Sequence, residues 1–136
     1  MYNKILIPVD FSHDDQSLAS INKANKLVEK EGVILLHVIE EIPDHIKTYL
    51  PDEFRKNKTE VAKKKLKTLL EKSDLENAHI EVRKGRSYNQ ILESAEENNV
   101  DLIIINSHKP GLEDYLLGST AAKVVRHANC AVLVER

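Results

Sequence analysis

Five short apolar runs alternate along this chain with longer stretches in which apolar residues recur every three or four positions. The runs are Tyr2–Val9, Val33–Val38, His79–Arg83, Val100–Ile105 and Ala131–Val134. All are of strand length and most are near-continuous in Ile, Leu and Val, so both faces of each strand must be covered. Between them, Leu18, Ile21, Ala24 and Val28 follow a polar start at Ser12 and read as a helix that Gly32 ends. Phe54, Ala62, Leu66, Leu69 and Leu70 share one face of a second helix. Ser87-Tyr88-Asn89-Gln90 has the form of a capping box opening a third, with Ile91, Leu92 and Ala95. Ala121, Val124 and Val125 mark a fourth. This βαβαβαβαβ order predicts an α/β fold, a parallel sheet with right-handed crossovers and helices on both faces. The His79–Arg83 run alternates rather than staying apolar and belongs nearer a sheet edge.

Composition narrows the functions such a fold could serve. With 136 residues the chain reads as one domain, 1–136, and 41% apolar against 31% charged residues is enough for a core. Twenty Lys and Arg against 22 Asp and Glu give a net charge of −2, and Trp is absent, so a dedicated nucleic-acid binder is not expected. No run approaches the length that spans a bilayer, which excludes a membrane anchor of that kind. The first strand begins at Tyr2 with no signal-peptide pattern, and Cys130 is the one cysteine, so a cytoplasmic protein without disulfides is expected. Arg55–Lys72 carries eight basic and two acidic residues, a local +6 that leaves −8 for the remainder. A solvated helix face is the simpler reading of that segment, and an acidic partner the other.

Ligands of open parallel sheets bind beyond the carboxyl ends of the strands, where the strand order reverses. Three groups of residues fall there. Ile7-Pro8-Val9-Asp10 places a carboxylate past the first strand, and Asn106-Ser107-His108 places polar groups past the fourth. Gly118-Ser119-Thr120 stands immediately before the last helix, where free N–H groups and hydroxyls suit a phosphate. Two of them also have a plain structural reading: Asp10 as a loop acid holding backbone amides, Gly118-Ser119-Thr120 as a helix cap. The four glycines are not spaced for a dinucleotide fingerprint or a Walker A loop. Ser12 and Asp15 fit a helix cap better than a nucleophile beside His13. The six histidines include no i,i+4 pair, so no zinc site is expected, and Cys130 reads as a small core residue.

Pro8-Val9-Asp10-Phe11-Ser12, Leu36-His37-Val38 and the tail from Leu116 to Val134 resemble the universal stress proteins over the whole chain. The resemblance implies a five-stranded sheet ordered 3-2-1-4-5, an adenine-nucleotide alpha-hydrolase-like fold, with helices on both faces. It implies a site of Pro8, Val9, Asp10, Val38, Asn106, Ser107, His108, Lys109, Gly118, Ser119 and Thr120. Asp10 and Val38 would line the adenine and ribose end, and Ser107, Gly118, Ser119 and Thr120 would hold phosphates. The family's nucleotide loop reads Gly, two residues, Gly, nine residues, Gly, then Ser or Thr. Here Asn106 and Lys109 replace the first two glycines, and eight residues separate Lys109 from Gly118. The variant Ser107-His108-Lys109-Pro110 is similar to a branch of the family close to nucleotide-binding members. The implied function is a small stress protein that binds ATP or AMP, with or without Mg2+, and responds to it as a regulator. It would pair as a homodimer through Ala131–Val134. Two other classes stand beside it: a nucleotide-free dimeric interaction module, and a slow ATPase or a protein that phosphorylates itself at Ser119 or Thr120.

Overall fold

The computed structural model describes residues 1–40, 45, 57–107 and 118–136. Strand β1 (Tyr2–Pro8) leads through helix α1 (Asp14–Leu27) to β2 (Val28–Ile39). Helix α2 (Lys58–Lys72), β3 (Ala78–Lys84), α3 (Ser87–Glu97), β4 (Leu102–Asn106), α4 (Ser119–His127) and β5 (Ala131–Glu135) follow. The five strands form one sheet in the order β3-β2-β1-β4-β5, with every pair parallel. β3, the alternating run, is at an edge as expected, and β5 occupies the other.

Strand side chains point alternately to the two faces, and both faces are apolar. Ile5, Ile7, Val33, Leu35, Leu102 and Ile104 pack on one side against Ile21 and Ala24 of α1 and Leu66 and Leu69 of α2. Leu6, Ile34, Leu36, Ile103 and Ile105 pack on the other against Ile91 and Ala95 of α3 and Ala121 and Val124 of α4. Double-sided burial is why these strands read as unbroken apolar runs. Cys130 packs at the border of the second cluster, and burial pushes its thiol up from the ordinary cysteine range, with Asp101 adding to the effect. A protonated, half-buried thiol fits the core reading. Phe54 lies outside the described residues, and Val125 faces out at 44% exposure instead of joining the α4 stripe.

Three local expectations are corrected. Helix α1 ends at Leu27, and Val28 is already extended at φ −83°, ψ 142°. Gly32 therefore lies inside β2 rather than closing the helix, and Val28, which fits both periodicities, belongs to the strand. The β1–β2 register slips between Tyr2↔Val28 and Lys4↔Gly32, and Gly32 at φ +97° absorbs the irregularity. The expected Ser12–Asp15 cap does not form: His13 is the N-cap residue, without a side-chain cap bond. The Ser12 amide donates instead to Oδ1 of Asp10 at 2.9 Å, because an Asp two residues upstream captures it in an Asx turn. The Ser87–Gln90 capping box is also absent, since Arg86 is the N-cap and Ser87 is already helical. The Ser87 hydroxyl donates across the sheet end to Oε1 of Glu40 at 2.9 Å.

Asp101 ties the start of β4 to β1. Its carboxylate accepts from the Asn3 and Lys4 amides at 3.0 and 2.9 Å, and its own N–H donates to the Lys4 carbonyl at 3.1 Å. Burial alone would raise its pKa, but those amide donors outweigh it and hold the carboxyl below its ordinary value of 3.8. The contact therefore stabilises the fold above the unfolded pKa and is lost as pH falls through the lower folded value. Asp101→Ala should unfold at lower urea concentration than the original protein at pH 7, and the gap should close below about pH 4; a gap that does not change with pH would assign the effect to something other than the ionised carboxylate. A Cβ on Gly32 would clash with the Asn77 carbonyl oxygen. Gly32→Ala should lose about 2 kcal/mol or more of stability by chemical denaturation, from strained backbone plus that clash.

Candidate functional site

After β1 the chain crosses to α1 on one face of the sheet, and after β4 it crosses to α4 on the other. β1 and β4 are adjacent, so the helices that follow them diverge and leave an opening above the strands' carboxyl ends. The opening is a crevice of about 480 Å³, within the range of small-molecule sites. Pro8, Val9 and Asp10 enter it from the end of β1, and Val38 from β2. Asn106 and Ser107 close it at β4, and Gly118, Ser119 and Thr120 at the start of α4. The structure thus gathers nine of the sequence-derived candidates around one space. His108 and Lys109 lie outside the described residues.

The details differ from a simple set of ligand contacts. Asp10 is exposed, with Oδ1 engaged by Ser12 N–H and its backbone carbonyl accepting from His13 N–H at 3.4 Å. Its reading as a loop acid that holds backbone amides is the one these contacts show. The Asn106 side chain is tied to α1, its Oδ1 accepting from the fully buried Ser20 hydroxyl at 3.0 Å. Ser107 is only 7% exposed. Its N–H donates to the Glu135 carbonyl at 2.9 Å, and its hydroxyl faces the same oxygen at 3.5 Å.

Gly118 has φ −58° and ψ 154°, a conformation open to any residue. Glycine there is not required by the backbone, so its value is the absence of bulk beside the crevice. Among the described residues no side-chain cap closes the first turn of α4. Its leading N–H groups have no intrahelical acceptor, and the positive end of the helix dipole faces the opening. No Lys or Arg is among the described residues that line the crevice, whereas Asp10 and Glu40 are acidic. An anion would therefore meet backbone N–H groups and hydroxyls at α4. Among the described residues no cluster of three His, Cys, Asp or Glu could hold a metal ion.

The structure also brings in residues that the sequence did not single out for the site. Gln16 and Ser17 of α1 line the crevice, as do Glu40 and Ser87 at the rim, which lie on loops expected at the carboxyl end of the sheet. His37 does so too, from the end of β2, with Nδ1 2.8 Å from the Val9 carbonyl and its ring stacked on Phe11. The available signal was register: a polar residue at the carboxyl end of an otherwise apolar inner strand reaches the same rim as Asp10. Among the described residues no helix is long and apolar enough to cross a membrane.

A model of the Universal stress protein family matches residues 1–136. Universal stress protein G of Escherichia coli O157:H7 is 33% identical over 142 residues, covering 100% of both chains. Universal stress protein MJ0577 of Methanocaldococcus jannaschii is 33% identical over 158 residues, covering 100% of this chain and 96% of its own. The solved MJ0577 structure superposes with a TM-score of 0.77 over 98% of this chain and 95% of that one. A universal stress protein from Archaeoglobus fulgidus in complex with dAMP shares the fold at 19% identity and TM-score 0.62, over 99% and 98% of the two chains. Matched along its full length, this chain belongs to the universal stress protein family.

Proposed function

We propose that residues 1–136 act as one domain that binds an adenine nucleotide, ATP or AMP, and serves in the cytoplasm as a nucleotide-responsive stress regulator. The observation that carries the proposal is the crevice at the β1–β4 divergence, where a carboxylate and a helix N-terminus face one space of nucleotide size. Adenine and ribose would lie toward Val38 and Asp10, where the apolar strand ends and a carboxylate can accept from ribose hydroxyls. Phosphates would lie toward Gly118, Ser119 and Thr120, where N–H groups and the helix dipole favour negative charge. Any Mg2+ would arrive with the nucleotide, its phosphates supplying ligands. The dAMP held by the Archaeoglobus fulgidus relative supports the same class of ligand. The unpaired Cys130 suits a reducing compartment.

Calorimetric titration of the purified protein with ATP, AMP and adenosine tests the reading directly; no heat of binding from any of the three would overturn it. Gly118→Val sharpens the test, because the valine backbone fits φ −58° without strain and only bulk is added. ATP affinity should fall at least about tenfold, roughly 1.4 kcal/mol, with the melting temperature unchanged. Unaltered affinity in the folded variant would take Gly118 out of the site.

The proposal extends to assembly. β5 forms a sheet edge, its outer side has no partner strand among the described residues, and Val132 and Val134 are only half-buried. An apolar edge of this kind favours pairing with a second copy around a two-fold axis. The original protein should sediment as a dimer and Val132→Lys as a monomer; a dimer that survives the lysine would move the interface elsewhere.

A further inference from the structure

We infer that His37 is a positioning residue of the crevice, fixing the β1–α1 turn so that Asp10 is presented at a set height above the sheet. The nucleotide named in its test rests on the function proposed above, while the geometry stands by itself. Pro8 opposite Leu36 is the last paired rung between β1 and β2, and Val9 N–H still donates to the Leu36 carbonyl at 2.7 Å. One peptide later the chain must leave the sheet for α1. Val9 is only 5% exposed, so its carbonyl needs a partner inside the protein. His37 supplies it, with Nδ1 at 2.8 Å. A carbonyl can only accept, so Nδ1 carries the hydrogen, and in the neutral ring Nε2 is left as the acceptor.

A second contact fixes the plane of that ring. Phe11 stacks on His37 with centroids 4.2 Å apart and planes at 29°, and Lys65 of α2 places its Nζ 5.1 Å from the Phe11 centroid. Val9 and Phe11 are the two neighbours of Asp10 in the chain. One imidazole therefore holds the residue on each side of the carboxylate, by a hydrogen bond on one and by stacking on the other. The Asx turn between Asp10 and Ser12 N–H then sets the carboxylate relative to that pinned backbone. A residue present only for packing could be any flat apolar ring; the imidazole is needed for the Val9 carbonyl.

Two variants separate these contributions. His37→Phe keeps a ring against Phe11 and removes the donor, whereas His37→Asn keeps a donor near the Nδ1 position and removes the ring. In His37→Phe, affinities for ATP and adenosine should fall together by about fivefold to tenfold, because the turn faces the ribose end and not the phosphates. His37→Asn should recover to within about threefold of the original protein. In the unliganded His37→Phe protein, hydrogen exchange at the Ser12 amide should quicken about tenfold or more while the Val9 amide changes less. Original affinity in His37→Phe, or equal weakness in both variants, would overturn the inference. If the unsubstituted protein binds no nucleotide, the proposed function fails, and the Ser12 exchange rates still decide the role of His37. Should His37→Phe not fold, 15N NMR of the unsubstituted protein decides: an Nδ1–H tautomer sustains the inference and an Nε2–H tautomer overturns it.

Discussion

Burial of one parallel sheet on both faces governs the rest of this structure. Inner strands such as Ile5-Leu6-Ile7 and Leu102-Ile103-Ile104-Ile105 have no face to give to water, so helices must cover each side. Right-handed crossovers then commit α1 and α2 to one face and α3 and α4 to the other. The change of face happens once, between β1 and β4, and the crevice is its geometrical consequence. Few residues are needed to form the opening itself; packing creates it, and the loops furnish it.

What furnishes it is mostly backbone and uncharged polar groups. The Asn106 side chain braces β4 against α1 through Ser20, and Ser107 braces it against β5 through the Glu135 carbonyl. On the opposite rim, Ser87 and Glu40 join the start of α3 to the end of β2. These ties fix the mouth of the crevice at separate points, leaving the first turn of α4 as its main electropositive feature among the described residues. Such a site suits recognition of a polyanion by oriented N–H groups more than by ion pairs, and desolvated dipoles need little rearrangement when the ligand arrives. Of the α2 lysines, Lys65 reaches the turn that carries Asp10, over the ring of Phe11.

Much of the candidate site was legible in the sequence because strand ends and helix starts are marked by local chemistry. Asp10 follows an apolar run and Gly118-Ser119-Thr120 precedes an amphipathic one, so both could be placed at the same end of the sheet. Their adjacency was another matter: the order of strands 3-2-1-4-5 came from the family resemblance, since periodicity does not say which strands pair. The misplaced caps have different causes. The Ser12 backbone amide is held locally by Asp10 in an Asx turn, whereas the Ser87 hydroxyl bonds Glu40, a partner 47 residues away that only the fold brings near. Val28 and Gly32 misled for a further reason, because helix and strand periods coincide over two or three residues and only the pairing with β1 separates them.

The sequence by itself determined the layers, the strand and helix count among the described residues, and the end of the sheet where chemistry gathers. Those depend on apolar periodicity and on local turn chemistry, which act over a few residues. Only the tertiary structure decided what each polar side chain does once there. Ser107 turns to β5, Asn106 to Ser20, and His37 crosses from β2 to hold the turn on either side of Asp10. Those partners are 28, 86 and 28 residues apart along the chain. A hydrogen bond across such separations is set by sheet register and helix docking, and no short window of sequence contains that information.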